Sequence, residues 1–217
     1  MQARVSSRSL RCAQFYLSFM DEVAVVDAPR LERLFLWRNF HHTREGTMVS
    51  PSTTVPSVTM LALHLHFGVW NEVKMLPSFL RCFPNVETLC VESEESPGQT
   101  CSIDTKFWQE TGTIECIQSH LKMIILREFQ GDQTEFSFLK FIAENARVLE
   151  NMVIVMKIGR YSAPDEMAAK VMELESIKFA SEGCRPGYLM SRLRKGGSIW
   201  NLKSGADLSC GDPFMCL

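Results

Sequence analysis

Two pairs of residues have the types and spacing that zinc binding or thiol catalysis requires. His64 and His66 lie two positions apart, so a strand would place both imidazoles on one face, where they could begin a zinc site. No nearby Cys, His or Asp pattern completes four ligands, and we expect two isolated histidines. Cys116 and His120 pair a thiol with a base, but no catalytic signature surrounds them. Neither pair predicts an active site.

An acidic run is a further candidate for chemistry. Glu92, Glu94 and Glu95 could chelate a cation or transfer protons, yet they lie beside Ser, Pro and Gly residues that indicate a solvated loop. The chain also has no Walker-type phosphate loop, no GxGxxG fingerprint and no GxSxG nucleophile elbow. We therefore expect no catalytic residue, no metal or cofactor, and no enzyme.

Composition limits the partners that the chain can have. The formal net charge is -2 and the pI is near 6.2, so the positive field of a nucleic-acid-binding protein is missing. No apolar run approaches the roughly 18 residues that cross a membrane. Eight cysteines form no CxxC pair and no compact disulfide framework, which is typical of a reduced compartment. We expect a cytoplasmic or nuclear protein that binds neither nucleic acid nor membrane.

The organising feature of the sequence is internal repetition. Five segments place three large apolar residues in the order apolar, two variable, apolar, one variable, apolar, which is the strand signature of leucine-rich repeats. They begin at Leu31, Val58, Val86, Leu121 and Leu149. Three of the four intervals fall within the repeat period of roughly 20 to 29 residues. The longer interval contains an acidic insertion, residues 92–107, which predicts an exposed loop.

Helix-compatible segments lie where a repeat would place its outer layer. Residues 71–83 predict a short or broken helix because Pro77 interrupts them. Residues 134–146 predict an amphipathic helix with Thr134 as its N-cap, and residues 164–176 predict another helix. Alternating valines at 23 and 25 predict a further strand near the N-terminal end. The expected fold class is α/β, a leucine-rich-repeat-like solenoid of short parallel strands with outer helices.

Such a stack would present a concave strand face to partners. Within each strand the second and third key residues point into the core, so the residues beside them point to the open face. These residues include aromatic, Met and Arg side chains that suit protein recognition. The candidate partner-binding face consists of Arg33, Phe35, Trp37, Met60, Ala62, His64, Thr88, Cys90, Glu92, Met123, Ile125 and Arg127. The open alternative is that neighbouring loops cover several of them.

The second half of the chain carries a more specific signature. Residues 107–156 closely resemble the FBD module at the C-terminus of many plant F-box and leucine-rich-repeat proteins, with landmarks at residues 114–116, 119–122, 129, 131 and 145–150. The resemblance implies that this module continues and closes the repeat stack. It divides the chain into an N-terminal extension (1–18, with disorder expected), leucine-rich-repeat-like residues 19–106, an FBD-type module (107–183) and a C-terminal extension (184–217).

The resemblance also implies a function. Members of that family carry an N-terminal F-box that binds the Skp adaptor of a cullin ubiquitin ligase, while their repeats are thought to select substrates. Residues before the first repeat-like strand hold no counterpart of the F-box, so direct Skp binding is not expected. We expect a non-catalytic protein-interaction module like the substrate-recognition half of those proteins, with unknown protein partners. One alternative is a substrate receptor recruited indirectly through a full-length relative, and a second is a metal- or thiol-dependent enzyme.

Overall fold

A computed structural model describes residues 2–16, 22–37, 54–95, 105–157, 159–161, 164–190 and 206–208. In these ranges the strands are β1 (Gln2–Ser6), β2 (Cys12–Tyr16), β3 (Glu22–Asp27), β4 (Arg33–Trp37), β5 (Met60–Leu65), β6 (Thr88–Ser93), β7 (Met123–Phe129), β8 (Asn151–Met156) and β9 (Arg185–Met190). The helices are α1 (Trp70–Val73), α2 (Leu76–Leu80), α3 (Thr105–Glu110), α4 (Glu115–Ser119), α5 (Gln133–Asn145) and α6 (Pro164–Glu175). Strands and helices therefore alternate from β5 onward.

The strands form one large parallel sheet and one small one. The large sheet has the order β2-β4-β5-β6-β7-β8-β9, so neighbours in this sheet follow each other along the chain, and every pair is parallel. Strand β3 pairs instead with β1 in a separate two-stranded sheet. Successive parallel strands with intervening helices are the arrangement expected of an α/β repeat fold.

A backbone ladder shows that the repeats are stacked in register. The amide just before each strand donates to the carbonyl at the same position of the previous repeat, as in Glu32 N to Arg11 O at 2.8 Å and Lys122 N to Glu87 O at 2.9 Å. Side chains at these positions add exposed ion pairs, Arg11 with Glu32 and Lys122 with Glu87. Each pair lies at the surface, where solvent screens the attraction, so the ladder itself determines the register.

The predicted key residues form the core between the sheet and the helices. The first key residues of the five repeats are at most 1% exposed, and the second and third key residues join the same cluster. Burial of each large apolar side chain stabilises the fold by about 1.5–3 kcal/mol. The prediction of a repeated apolar core from the sequence is therefore confirmed.

Helix boundaries agree with the sequence prediction in two segments. The segment interrupted by Pro77 contains two short helices, α1 and α2, and Pro77 lies in the first turn of α2, where its missing N–H costs nothing. Helix α6 lies where residues 164–176 predicted a helix. In the part of the chain that the structure describes, no helix has the length and apolarity needed to cross a membrane.

The N-cap of helix α5 lies two residues before the predicted cap. The N-cap is Asp132, not Thr134, and its side chain accepts from the N3 backbone while Glu135 accepts from Asp132 N at 2.9 Å. Thr134 is 2% exposed inside the first turn. The prediction of Thr134 was wrong because Thr and Asp are both good caps, and the reciprocal pairing with a Glu three residues later selects Asp132.

Both ends of the chain contribute strands that the repeat signature did not identify. Residues 1–18 were predicted to be an extension, but they hold β1 and β2, and Leu10 and Ala13 take the core positions of a repeat. The small Ala13 and the nearby arginines hide the apolar pattern there. At the other end, β9 adds a strand from residues assigned to the C-terminal extension.

The predicted loop, residues 92–107, ends in helix α3, and its residues 96–104 lie outside the described ranges.

Candidate functional site

The face of the large sheet opposite the main core is the candidate site, and we call it the helix-free face because helices α1 to α6 contribute residues to the main core on the other side. Side chains alternate along a strand, so residues between the core positions point to this face. They form three rows across the strands. The first row is Cys12, Arg33, Met60, Thr88, Met123 and Asn151, the middle row is Phe35, Ala62, Cys90, Ile125 and Val153, and the third is His64, Glu92 and Arg127.

The middle row and its neighbours form a second apolar cluster, separate from the main core. Phe35, Met60, Ala62, Cys90 and Ile125 are each at most 7% exposed and pack with Cys12, Met123 and Val153. In the described part of the chain, helices supply residues to the main core and none to this cluster. The sheet therefore has a buried apolar surface on both sides.

The third row places opposite charges side by side. Glu92 lies in register between His64 on β5 and Arg127 on β7. Burial raises the pKa of Glu92, and the charges of Arg127 and His64 oppose that rise. Arg127 is only 4% exposed, and its Nε has no hydrogen-bond partner in the described structure. A buried guanidinium with an unused donor favours the binding of a further anion or hydrogen-bond acceptor.

The histidine pair is arranged around carboxylates. Nε2 of His64 and Nε2 of His66 lie 3.5 and 3.2 Å from the same Glu94 oxygen, and His66 N donates to Glu72 Oε2 at 2.9 Å. Residues after β6 thus reach back to the end of β5. Among the residues that the structure describes, no group of three or more His, Cys, Asp or Glu residues could hold a metal ion.

The pair Cys116 and His120 does not have the environment of a nucleophilic site. Cys116 is 2% exposed in the main core, and its Sγ contacts Leu80 O at 3.7 Å. Burial raises the pKa of its thiol to about 12. A catalytic thiol needs the opposite shift because the thiolate is the nucleophile. Cys116 therefore contributes to packing.

A buried carboxylate that the sequence did not single out joins two repeats. Glu135 is fully buried and accepts from Ser93 Oγ at 2.5 Å, from Asp132 N at 2.9 Å and from Gln130 N at 3.1 Å. Burial raises its pKa to about 7, against the effect of these hydrogen bonds. The spacing of Asp132 and Glu135 is a capping-box signal that could have identified the cap, but nothing in the sequence indicates the bond to Ser93.

An open cleft of about 320 Å³ lies on the helical side of the molecule. Trp108, Gly112, Lys140, Phe141 and Asn145 are among the residues that line it. Trp108 stacks on Phe141 with ring centroids 5.0 Å apart, and Asn145 Nδ2 donates to Phe141 O. The stacking of Trp108 on Phe141 joins α3 to α5, whereas the hydrogen bond from Asn145 lies within α5.

The structure buries most of the predicted partner-binding face. Seven of its twelve residues are buried, which are Arg33, Phe35, Met60, Ala62, Cys90, Ile125 and Arg127. Another four are partly exposed, which are His64, Thr88, Glu92 and Met123, while the Trp37 side chain lies outside the described part. The residues do share one face, but the face is not open at its centre. One contact on it was unpredictable, a hydrogen bond of 3.3 Å from Arg33 Nη1 to Asp207 O.

The comparisons with known proteins agree with this architecture. Residues 1–47 and 40–91 match the family model described as FBD-associated F-box protein At5g56370, LRR repeats, and residues 109–154 match the FBD family. The F-box/FBD/LRR-repeat protein At3g14710 of Arabidopsis thaliana is 26% identical over 104 residues, which are 46% of this chain and 23% of that relative. The match thus spans less than a quarter of the relative's length. No solved structure matches the chain.

The structure has an α/β repeat fold, and the matches are to leucine-rich-repeat and FBD family models. The chain is similar to plant F-box/FBD/LRR-repeat proteins, which confirms the resemblance identified from the sequence. This combination of domains indicates a protein-interaction role, and the family is generally not enzymatic.

Proposed function

We propose that the chain binds a partner protein through the helix-free face, with Arg127 as the anchor for an acidic group. The observation that supports this most directly is the burial of Arg127 with an unused Nε beside a continuous apolar row. Apolar surface supplies binding free energy, while a charged hydrogen bond supplies specificity. An extended segment with apolar side chains and one carboxylate fits both features.

The geometry of the third row explains why Arg127 favours an added anion. Glu92 lies beside it in register, and burial raises the pKa of Glu92 while the charge of Arg127 opposes that rise. A partner carboxylate at Nε would complete the hydrogen bonding of a guanidinium that is already desolvated. Because part of the desolvation cost is met on folding, the site is preorganised for such a group.

Affinity purification of the tagged chain from plant tissue, with mass spectrometry, tests this proposal. We expect Arg127→Met, which keeps the length of the side chain, to lower recovery of specific partners at least about tenfold, because a charged hydrogen bond is lost. The matched control is Arg147→Met, an exposed arginine outside the face. Equal recovery by both variants and the unchanged chain, with their folding verified by circular dichroism, would count against the helix-free face.

The same purification tests a second candidate, a substrate receptor of a cullin ubiquitin ligase that is recruited through a full-length relative. It is favoured by the similarity to a protein named for its F-box. Cullin and Skp adaptor that co-purify only when such a relative is present would support it. Consistent absence of cullin among the captured proteins would exclude it while leaving partner binding intact.

A further inference from the structure

The burial of the helix-free face requires a cover. Phe35 is 0% and Cys90 is 2% exposed, although the helices pack on the opposite side of the sheet. Neighbouring strands shield the flanks of such side chains, because strands lie about 4.8 Å apart, but not the ends that point away from the sheet. Another segment of the chain must lie over them.

One contact identifies a segment that reaches this face. Arg33 Nη1 donates to Asp207 O at 3.3 Å across 174 residues of sequence. Arg33 is 7% exposed and lies on β4, in register with Met60 and two residues before Phe35. The next residue of the segment, Leu208, is partly buried. Residues 206–208 therefore meet the helix-free face beside its apolar cluster.

We propose that residues 206–208 are an intramolecular cover, which a partner must displace before it binds the helix-free face. This inference rests on the proposed function and adds its regulation. The covering segment also indicates what kind of partner fits. It offers a backbone carbonyl to Arg33, so a competing partner is a peptide segment that replaces this carbonyl and, further along the face, supplies a carboxylate to Arg127.

Two buried thiols allow the cover to be tested in the 217-residue chain. Cys90 lies in the cluster under the proposed cover, whereas Cys116 lies in the main core, and each is 2% exposed. The rate of alkylation by N-ethylmaleimide is measured at each cysteine by peptide mass spectrometry. Arg33→Ala removes the contact with Asp207, and Arg185→Ala removes an exposed arginine from the same register row on β9.

We expect Arg33→Ala to raise the alkylation rate of Cys90 at least fivefold while Cys116 stays slow, and Arg185→Ala to change neither rate. An unchanged Cys90 rate in Arg33→Ala would overturn the cover. If Arg33→Ala raises both rates equally, the sheet itself has loosened, and Leu208→Lys then decides. In Leu208→Lys, faster alkylation of Cys90 without faster alkylation of Cys116 supports the cover. Slow alkylation of Cys90 in this variant overturns it.

Partner capture separates failure of the cover from failure of the proposed function. If both proposals hold, the Leu208→Lys variant recovers more of the Arg127-dependent partners than the unchanged chain does. If the cover exists but the face binds nothing, Cys90 becomes reactive and no Arg127-dependent partner is recovered. If partners bind and Cys90 does not respond, the proposed function stands and the cover is wrong.

Discussion

At the scale of single residues, Glu135 shows how the fold changes the chemistry of a side chain. Its carboxylate accepts hydrogen bonds from Ser93 at the end of β6 and from the backbone between β7 and α5. It therefore joins two strands and a helix at one buried point. Removal from water favours its neutral form, and this effect exceeds that of the donors around it.

The raised pKa of Glu135 predicts a specific pH dependence of stability. The folded pKa is about 7, above the ordinary value, so the contribution of Glu135 is greatest below the ordinary pKa and is lost as the pH rises to about 7. Between about pH 4.5 and 7 the free energy of unfolding of the unchanged chain should fall by an amount on the order of 3 kcal/mol. We expect the Glu135→Gln variant not to show this fall. Urea unfolding across that range measures it.

The control for this pH dependence is Glu144→Gln, since Glu144 is an exposed carboxylate on the same helix. It should keep the pH slope of the unchanged chain. A Glu135→Gln variant whose unfolding free energy follows the same slope as the unchanged chain would show that Glu135 titrates normally.

At the scale of elements, the start of α5 is set by a reciprocal pair of hydrogen bonds. The helix carries much of the buried aromatic packing, including Phe138, which lies 5.5 Å from Phe67 and 5.4 Å from Trp108 between ring centroids. Its N-terminal turn also holds the buried Glu135. The cap at Asp132 therefore positions a helix on which two repeats pack.

Loss of this cap should destabilise the whole fold by a modest amount. We expect Asp132→Ala to lower the free energy of unfolding by about 1 kcal/mol, because an N3 amide loses its acceptor. Gln133→Ala, at the exposed first position of the helix, should change it by less than about 0.5 kcal/mol. Thermal and urea unfolding measure both. Equal stabilities of the two variants would contradict the assignment of Asp132 as the cap.

At the scale of the whole molecule, a stacked sheet has two end strands. Within the described ranges these are β2 and β9, each paired with one neighbour in the large sheet. The end of β9 exposes Leu189 and Met190, at 43% and 47%. Unpaired backbone groups next to exposed apolar side chains favour association with another strand.

We therefore expect the isolated chain to self-associate at the ends of the sheet. Size-exclusion chromatography with light scattering should show oligomers that grow with concentration. Leu189→Lys should shift the distribution toward monomer because a charge on an edge strand opposes pairing. Met172→Lys, an exposed change on α6 away from the edge, should not. A monodisperse monomer at all concentrations would contradict edge association.

The sequence by itself determined the repeat architecture. Leu31, Val58, Val86, Leu121 and Leu149 recur at fixed places relative to each strand, and all are buried. Every repeat needs an apolar residue at such a position whatever its neighbours are, so the requirement leaves a periodic trace. The trace fades in the first repeat, where Ala13 takes the place of a large residue, and β2 was missed for that reason.

Only the tertiary structure decided which parts of the helix-free face are accessible. The contact of Arg33 with Asp207 and the bond between Ser93 and Glu135 join residues 174 and 42 positions apart. The unused Nε of Arg127 likewise depends on what the fold places around it. Such polar contacts each occur once, so they follow no period, and their partners are defined only when distant segments pack together.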